Sequence, residues 1–266
     1  MVDWPQLAGS DQEPMRAIII GAGRGARLMP TTENAPKCFA EIRGRRILDW
    51  AIDSLTQGGV TEICFIGGYR IELVKQNYPH FTFRENPDWP NNNILASLMH
   101  AEDLMDQPFL TSYADILYTP DVVRDLIASP ADIALGIQPD WLEQYKFRTR
   151  HPPDDGEKVL VDNGRIARVH RDIPTEDAQG EFIGVAKFSV AGARKLRDHY
   201  HRARARFAGK PFRESASFEK AYLIHLLQDM VEQGETLAAV NSKGQYREID
   251  TQEDMDLAQT MWEPNR

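Results

Sequence analysis

The chain has 266 residues, 42% hydrophobic and 27% charged, with 31 basic against 40 acidic side chains and a net charge of −9. That size and composition suit one large α/β domain, or two small ones, with a real core. The acidic balance argues against a general nucleic-acid or anionic-membrane binder, while leaving room for a local basic pocket.

Only Cys38 and Cys64 are present, which indicates no disulfide framework and points to a reducing, cytoplasmic setting. The first 14 residues are polar and acidic, lack the apolar core of a signal peptide, and are expected to form a loose flexible tail. No apolar run is long enough to span a bilayer.

Ala17–Ile20 reads as a buried strand that runs into glycines. Ile47, Leu48, Ala51 and Leu55 share one face, so Ile47–Leu55 reads as a helix, stopped by Gly58-Gly59. The spacing then predicts a strand over Glu62–Ile66, a short helix over Ile71–Gln76 and a strand over Phe81–Arg84. It continues with a helix over Asn93–Leu104, a strand over Pro108–Tyr113, a helix over Pro120–Ile127 and a strand over Asp132–Gly136. This is the βαβ rhythm of an α/β protein with a three-layer, mixed and mainly parallel sheet.

Residues 138–181 change character. Short strands over Lys158–Val161 and Ile166–His170 flank Asn163-Gly164, a strong hairpin signal, and the segment reads as a small insertion. A strand over Phe182–Ser189 follows, then amphipathic helices over Ala191–Phe207 and Ala216–Gln233. In the second helix Phe218, Tyr222, Leu226, Leu227 and Met230 form a stripe that reads as core packing. Arg202, Arg204 and Arg206 fan out around a helix and read as a solvated face. Strands over Leu237–Val240 and Arg247–Ile249 precede a helix from Thr251, where Thr251 and Asp254 resemble a capping box. No linker divides the chain, so residues 15–266 are read as one domain.

Gly21, Gly23 and Gly25 alternate just after the first strand. Such glycines let backbone N–H groups approach a polyanion, and Arg24, Arg27 and Lys37 supply charge-assisted contacts to phosphate oxygens. The spacing departs from the dinucleotide fingerprint and lacks the Lys-Ser/Thr ending of a P-loop. Gly23, Gly25, Arg27, Leu28, Pro30, Thr32, Pro36 and Lys37 instead resemble, in order, the signature of the nucleotidyltransferases that activate sugar phosphates and small alcohol phosphates. Gly21 stands where that family usually has alanine, a change expected to be mild.

The resemblance implies a Rossmann-like nucleotidyltransferase fold with 138–181 on the acceptor side. It implies that Gly21, Ala22, Gly23, Arg24 and Gly25 bind the triphosphate, that Arg27 faces the departing pyrophosphate, and that Lys37 reaches the reaction centre. Arg24 could equally be solvated. Asp115 and Asp250 each close an apolar strand, where open α/β sheets collect ligands. The resemblance makes them the holders of one Mg²⁺; taken alone, each reads as a helix cap.

Asn91-Asn92-Asn93 before a helix is an N-cap signal. Together with Ser97 it also looks like the phosphocholine-type cytidylyltransferases, which implies that Asn93, Ser97 and Gly68 lie at the nucleotide. For the acceptor, Trp141 and Tyr145 suit an ammonium head, and Lys146, Arg148 and Arg150 suit a phosphate; an exposed mobile loop fits as well. Glu181–Ser189 and Ser217–Ala221 look similar to the cytidylyltransferases of phosphonate pathways, which gives Glu181 an acceptor amine and Lys187 its phosphate. The seven histidines show no metal-ligand spacing.

The implied activity is Mg²⁺-dependent transfer of CMP from CTP to phosphocholine, 2-aminoethylphosphonate or a similar small phosphate. No nucleic-acid or membrane partner is expected, and a homodimer is compatible with the sequence. The alternatives are a sugar-1-phosphate nucleotidyltransferase using UTP, dTTP or GTP, and a non-catalytic nucleotide-binding subunit.

Overall fold

The computed structural model describes residues 14–242 and 246–263; residues 1–13 of the expected tail lie outside the described residues. The first half alternates as the periodicity predicts. It runs β1 (Arg16–Gly21), the small hairpin β2 (Glu41–Ile42) and β3 (Arg45–Arg46), α1 (Ile47–Gln57), β4 (Glu62–Gly67), α2 (Ile71–Asn77), β5 (Thr82–Glu85), α3 (Ile94–Leu98), β6 (Phe109–Tyr113), β7 (Ile116–Tyr118), α4 (Pro120–Ala128) and β8 (Ile133–Gln138). The second half holds α5 (Leu142–Tyr145), the hairpin β9 (Lys158–Asp162) and β10 (Arg165–Val169), β11 (Gly180–Phe188), α6 (Val190–Phe207), α7 (Leu223–Glu232), β12 (Ala238–Asn241), β13 (Tyr246–Glu248) and α8 (Gln252–Met261).

Among the described residues, nine strands form one sheet in the order β5-β4-β1-β6-β11-β8-β12-β10-β9. It is parallel from β5 to β6, and β11 then enters antiparallel between β6 and β8. Strand alternation sorts the core into two layers. Ile18, Ile20, Cys64 and Ile66 point to one face, against α3, α6 and α7. Ala17, Ile19, Ile63 and Phe65 point to the other, against α1, α2 and α4. Asn163 and Gly164 both have positive φ (49° and 75°), as the tight turn between β9 and β10 requires.

Two expected helices are interrupted. Asn93–Leu104 is helical only to Leu98 and continues as a tighter turn over Met99–Leu104, with Ala101 off helical geometry. Ala216–Gln233 begins as a single turn, Phe218–Lys220, and Ala221 and Tyr222 are extended before α7 starts. Phe218, Leu226, Leu227 and Met230 keep their place in the core. Tyr222 instead becomes the cap of α7, its amide donating to the ring of His225 at 3.2 Å.

A third, smaller core ties the two ends of the chain together. Leu28, Ile42, Ile47, Leu117, Ile249, Ala258 and Trp262 are fully buried against one another. Trp262 meets Trp50 edge-on at 6.3 Å, and its carbonyl accepts from Arg43. We predict that Trp262→Ala destabilises the protein by about 3–5 kcal/mol, as large-to-small changes at filled sites do. Urea denaturation checks this, and a loss below about 1 kcal/mol would show that the terminal core carries no weight.

Candidate active site

β1 and β6 are parallel neighbours, so Gly21 and Asp115 leave the sheet at the same carboxyl-terminal edge. β13 pairs antiparallel with β7, setting Glu248 opposite Ile116, and the amide of Ile249 donates to the Asp115 carbonyl at 3.0 Å. This register brings Asp250 beside Asp115. Pro36 is extended, and Lys37 opens a single tight turn that aims its side chain inward. The Lys37 ammonium donates to Asp115 Oδ2 at 2.7 Å and to Asp250 Oδ1. Arg27 Nη2 donates to Asp250 Oδ2 at 2.5 Å. Burial opposes the charge on Lys37, but Asp115 and Asp250 outweigh it and hold the ammonium above its ordinary range. Asp250 is likewise opposed by burial, yet Lys37 and Arg27 hold it well below the usual carboxylate range.

The glycine loop fits over this pair. Gly25 has φ +68°, and a Cβ there would lie 2.9 Å from the Lys37 side chain, so both conformation and space call for glycine. Thr32 Oγ1 donates to the Gly25 carbonyl at 2.9 Å and pins the turn. Gly23 faces open space. Gly21 corrects the expectation of a mild change: an alanine Cβ would lie 2.6 Å from the Phe65 ring and 2.8 Å from Ala114 Cβ. Something must shift for it to fit. Ala22 lines the cleft. Arg24 stands at the rim, exposed, with its guanidinium 5.4 Å from the centre of the Tyr69 ring.

Below the loop lies a cleft of about 650 Å³. On one side Trp89 packs where a Cβ on Gly68 would sit, and it meets Tyr69 edge-on at 5.7 Å. Asn93 caps α3, its Oδ1 accepting from the Ile94 amide at 2.8 Å. The Ser97 hydroxyl is engaged by Asn86 and by the Asn93 carbonyl, and Asn86 also grips Asn92. Asn93 and Ser97 therefore shape the cleft wall, with their hydrogen bonds already partly used inside it.

The opposite side is acidic. Glu157, Glu181 and Glu248 join Asp115 and Asp250 in the lining. Burial, then Asp250 and Glu181, push Glu248 well above the usual carboxylate range. Burial pushes Glu181 up to about 7, against the pull of the Tyr145 hydroxyl, which donates to it at 2.6 Å. The donor atoms of His151, Glu248 and Asp250 lie within 4.8 Å of one another. His151 Nδ1 is also met by Arg148 Nη2 at 2.5 Å, and the Asp250 oxygens by Lys37 and Arg27, so a cation held by this cluster would compete with those contacts. The mutual crowding of these carboxylates is what such a cation would relieve.

Of the residues expected at the acceptor, Glu181 alone lines the cleft. Trp141 and Tyr145 are buried behind it, Trp141 against Gly156 and Tyr145 under Glu181. Arg148 is spent on Asp254 at 2.6 Å and on Glu248 at 3.3 Å. Arg150 is exposed, and its amide donates to Glu253. Lys187 lies six residues beyond Glu181, about 20 Å along a strand. Its amine donates to the carbonyls of Ser129 and Ala131, at the other end of the sheet.

Trp89, Tyr113, His151, Glu157, Arg171, Tyr222 and Glu248 line the cleft without having been singled out for it. Glu248 had a readable signal: it is an acidic residue at the end of β13, two residues before Asp250. The others come together from segments far apart in the chain.

The sequence profile of MobA-like NTP transferase domains matches residues 17–163. The chain is 29% identical to the CTP:phosphoglutamine cytidylyltransferase of Campylobacter jejuni, over 91% of this chain and 98% of that enzyme. It is 27% identical to the 2-aminoethylphosphonate cytidylyltransferase of Lancefieldella rimae, over 74% of this chain and 76% of that enzyme. The structure of CTP:phosphocholine cytidylyltransferase from Streptococcus pneumoniae superposes with a TM-score of 0.72 at 19% identity, covering 93% of this chain and 98% of that one. Among the described residues no helix is long and apolar enough to cross a membrane.

Glu181 supplies a pH prediction. Its folded value, about 7, lies above its ordinary 4.5, so the folded state holds its proton more tightly than the unfolded state. The resulting stability is fully present below 4.5 and is lost as pH rises through about 7. We predict that Glu181→Gln removes this loss. The thermal midpoint of the ligand-free variant should gain on the unmutated protein as pH rises through that window, and a constant gap would contradict the burial argument.

Proposed function

The chain belongs to the family of MobA-like NTP transferase domains, and on that footing we propose that it transfers CMP from CTP to a small phosphate or phosphonate and releases pyrophosphate. The observation that carries this reading is Lys37, held between Asp115 and Asp250 directly beneath Gly25. The relatives named for phosphoglutamine and 2-aminoethylphosphonate support an acceptor of that class.

The acceptor's phosphate or phosphonate oxygen is the nucleophile. It attacks the α-phosphorus of CTP, a new P–O–P bridge forms, the bond to the β-phosphate breaks, and pyrophosphate carries away the electron pair. No enzyme nucleophile is needed, so the residues position and neutralise. Backbone N–H groups of residues 21–25 cradle the triphosphate, Arg27 offsets charge on the leaving pyrophosphate, and Lys37 donates to the attacking and α-phosphate oxygens. Trp89, Gly68 and Asn92 would frame the cytosine ring. Asp115 and Asp250, with Glu248 beside them, would hold Mg²⁺, which when bound supplies further positive charge for the phosphates. The buried thiols of Cys38 and Cys64 fit the cytoplasmic setting read from the sequence, and assembly as a homodimer belongs to the same proposal.

Lys37→Ala and Asp115→Ala should each lower kcat/KM by roughly 10²–10³-fold in a pyrophosphate-release assay with CTP, in line with loss of one charge-stabilising contact. Circular dichroism checks that the fold survives. Near-normal rates in both variants would overturn the site assignment. In the same assay CTP should outperform UTP, dTTP and GTP; a preference for one of those with a sugar 1-phosphate would favour the sugar-nucleotide reading instead.

A further inference from the structure

A second cavity of about 400 Å³ opens beside the cleft and shares Asn93, Arg171 and Tyr222 with its wall. Arg171 stacks over the Tyr222 ring at 4.1 Å and donates to Glu157 Oε1 at 3.2 Å on the cleft side. Its Nε is buried with no partner among the described residues. The break in the chain at Ala221 and Tyr222 is what turns the tyrosine into this position.

Beyond that gate the wall carries both signs of charge. Glu214 is held by two imidazoles: His170 Nε2 contacts one of its oxygens, and His225 Nε2 approaches the other at 3.3 Å. His170 Nδ1 accepts from the Asp172 amide and also contacts the Asp172 carboxylate, and His225 Nδ1 accepts from the Tyr222 amide and meets Ser215 Oγ at 3.0 Å, so both rings are fixed in place beside Glu214. The Glu214 side chain is still 52% exposed, so its remaining lone pairs are open to a ligand. Lys220, in the same lining, donates to the Pro90 carbonyl at 3.1 Å, one of the three bonds its ammonium can make.

We propose that this second cavity receives the distal end of the acceptor and that this end is an α-amino acid, its ammonium on Glu214 and its carboxylate on Lys220 and the exposed part of Arg171. The inference rests on the main cleft being the transfer site. A simple amine would be repelled by the two basic groups and a simple carboxylate by Glu214, whereas a zwitterion matches both. Sugar hydroxyls have no need of opposed full charges.

The test uses matched acceptors that differ only by the carboxylate: 2-amino-4-phosphonobutyrate against 3-aminopropylphosphonate, and 2-amino-5-phosphonopentanoate against 4-aminobutylphosphonate. Pyrophosphate release with CTP gives kcat/KM, and calorimetry gives direct binding to the full chain. In at least one pair the amino acid should be preferred about tenfold or more, as one well-placed charge-assisted contact provides. Lys220→Ala should bring that ratio toward one, and Lys220→Arg should restore most of it. Equal use within both pairs, preference for the amines, or an unchanged ratio in Lys220→Ala would overturn the assignment. If no acceptor releases pyrophosphate yet Lys220→Ala weakens binding of the amino acids, the transfer reading fails and the cavity assignment stands. If the amino acids do not bind, the cavity assignment itself fails.

Discussion

The ammonium of Lys37 between the carboxylates of Asp115 and Asp250 is the contact on which the rest of the molecule depends. It joins segments 78 and 213 residues apart in the chain. Removing three charged groups from water is costly, and the arrangement holds only because each charge finds an opposite partner at hydrogen-bond distance. Every element around it serves that meeting. β1 delivers the glycine loop, Pro36 aims Lys37, the β7–β13 register sets Asp250 beside Asp115, and the Trp262 core holds the register closed.

The same contact explains the electrostatics of the cleft. Six acidic residues line it, Asp115, Asp155, Glu157, Glu181, Glu248 and Asp250, although the proposed substrates are polyanions. Lys37, Arg27 and Arg171 offset part of that charge at defined points. Burial above all raises Glu181 and Glu248, with Asp250 and Glu181 adding to the effect at Glu248. The proposed divalent cation would offset part of this negative wall. Under the glycine loop Lys37 and Arg27 are matched by Asp115 and Asp250, and the opposite wall carries Glu157, Glu181 and Glu248 as far as Arg171 and Tyr222.

What the sequence made legible was local. The alternating strands and helices, the loop from Gly21 to Gly25, and the strand-end aspartates all depend on neighbours a few residues away, where periodicity and backbone chemistry act. Lys37 was readable because Pro36 and the loop precede it. Arg148 was not, because its partner Asp254 lies 106 residues on and takes the charge that a ligand would need. Lys187 faced the same limit: which end of β11 meets the cleft is set by antiparallel entry beside β6, a decision of the whole sheet. His151 has no local metal spacing, yet the fold brings it to Glu248 and Asp250. Tyr222 sat in a convincing helical stripe; it still packs against the core, but the break before α7 also brings it to the cleft wall.

The central claim is direct in-line transfer in a site that positions and neutralises without forming a bond to the substrate. The stereochemical course at the α-phosphorus tests it most directly. With one diastereomer of CTP carrying sulfur on the α-phosphate, a single displacement by the acceptor oxygen gives a product of inverted configuration, readable by phosphorus NMR. Inversion is the result expected of Lys37, Arg27 and the glycine loop acting as described. Retention would require two displacements through a covalent nucleotidyl-enzyme and would contradict the account.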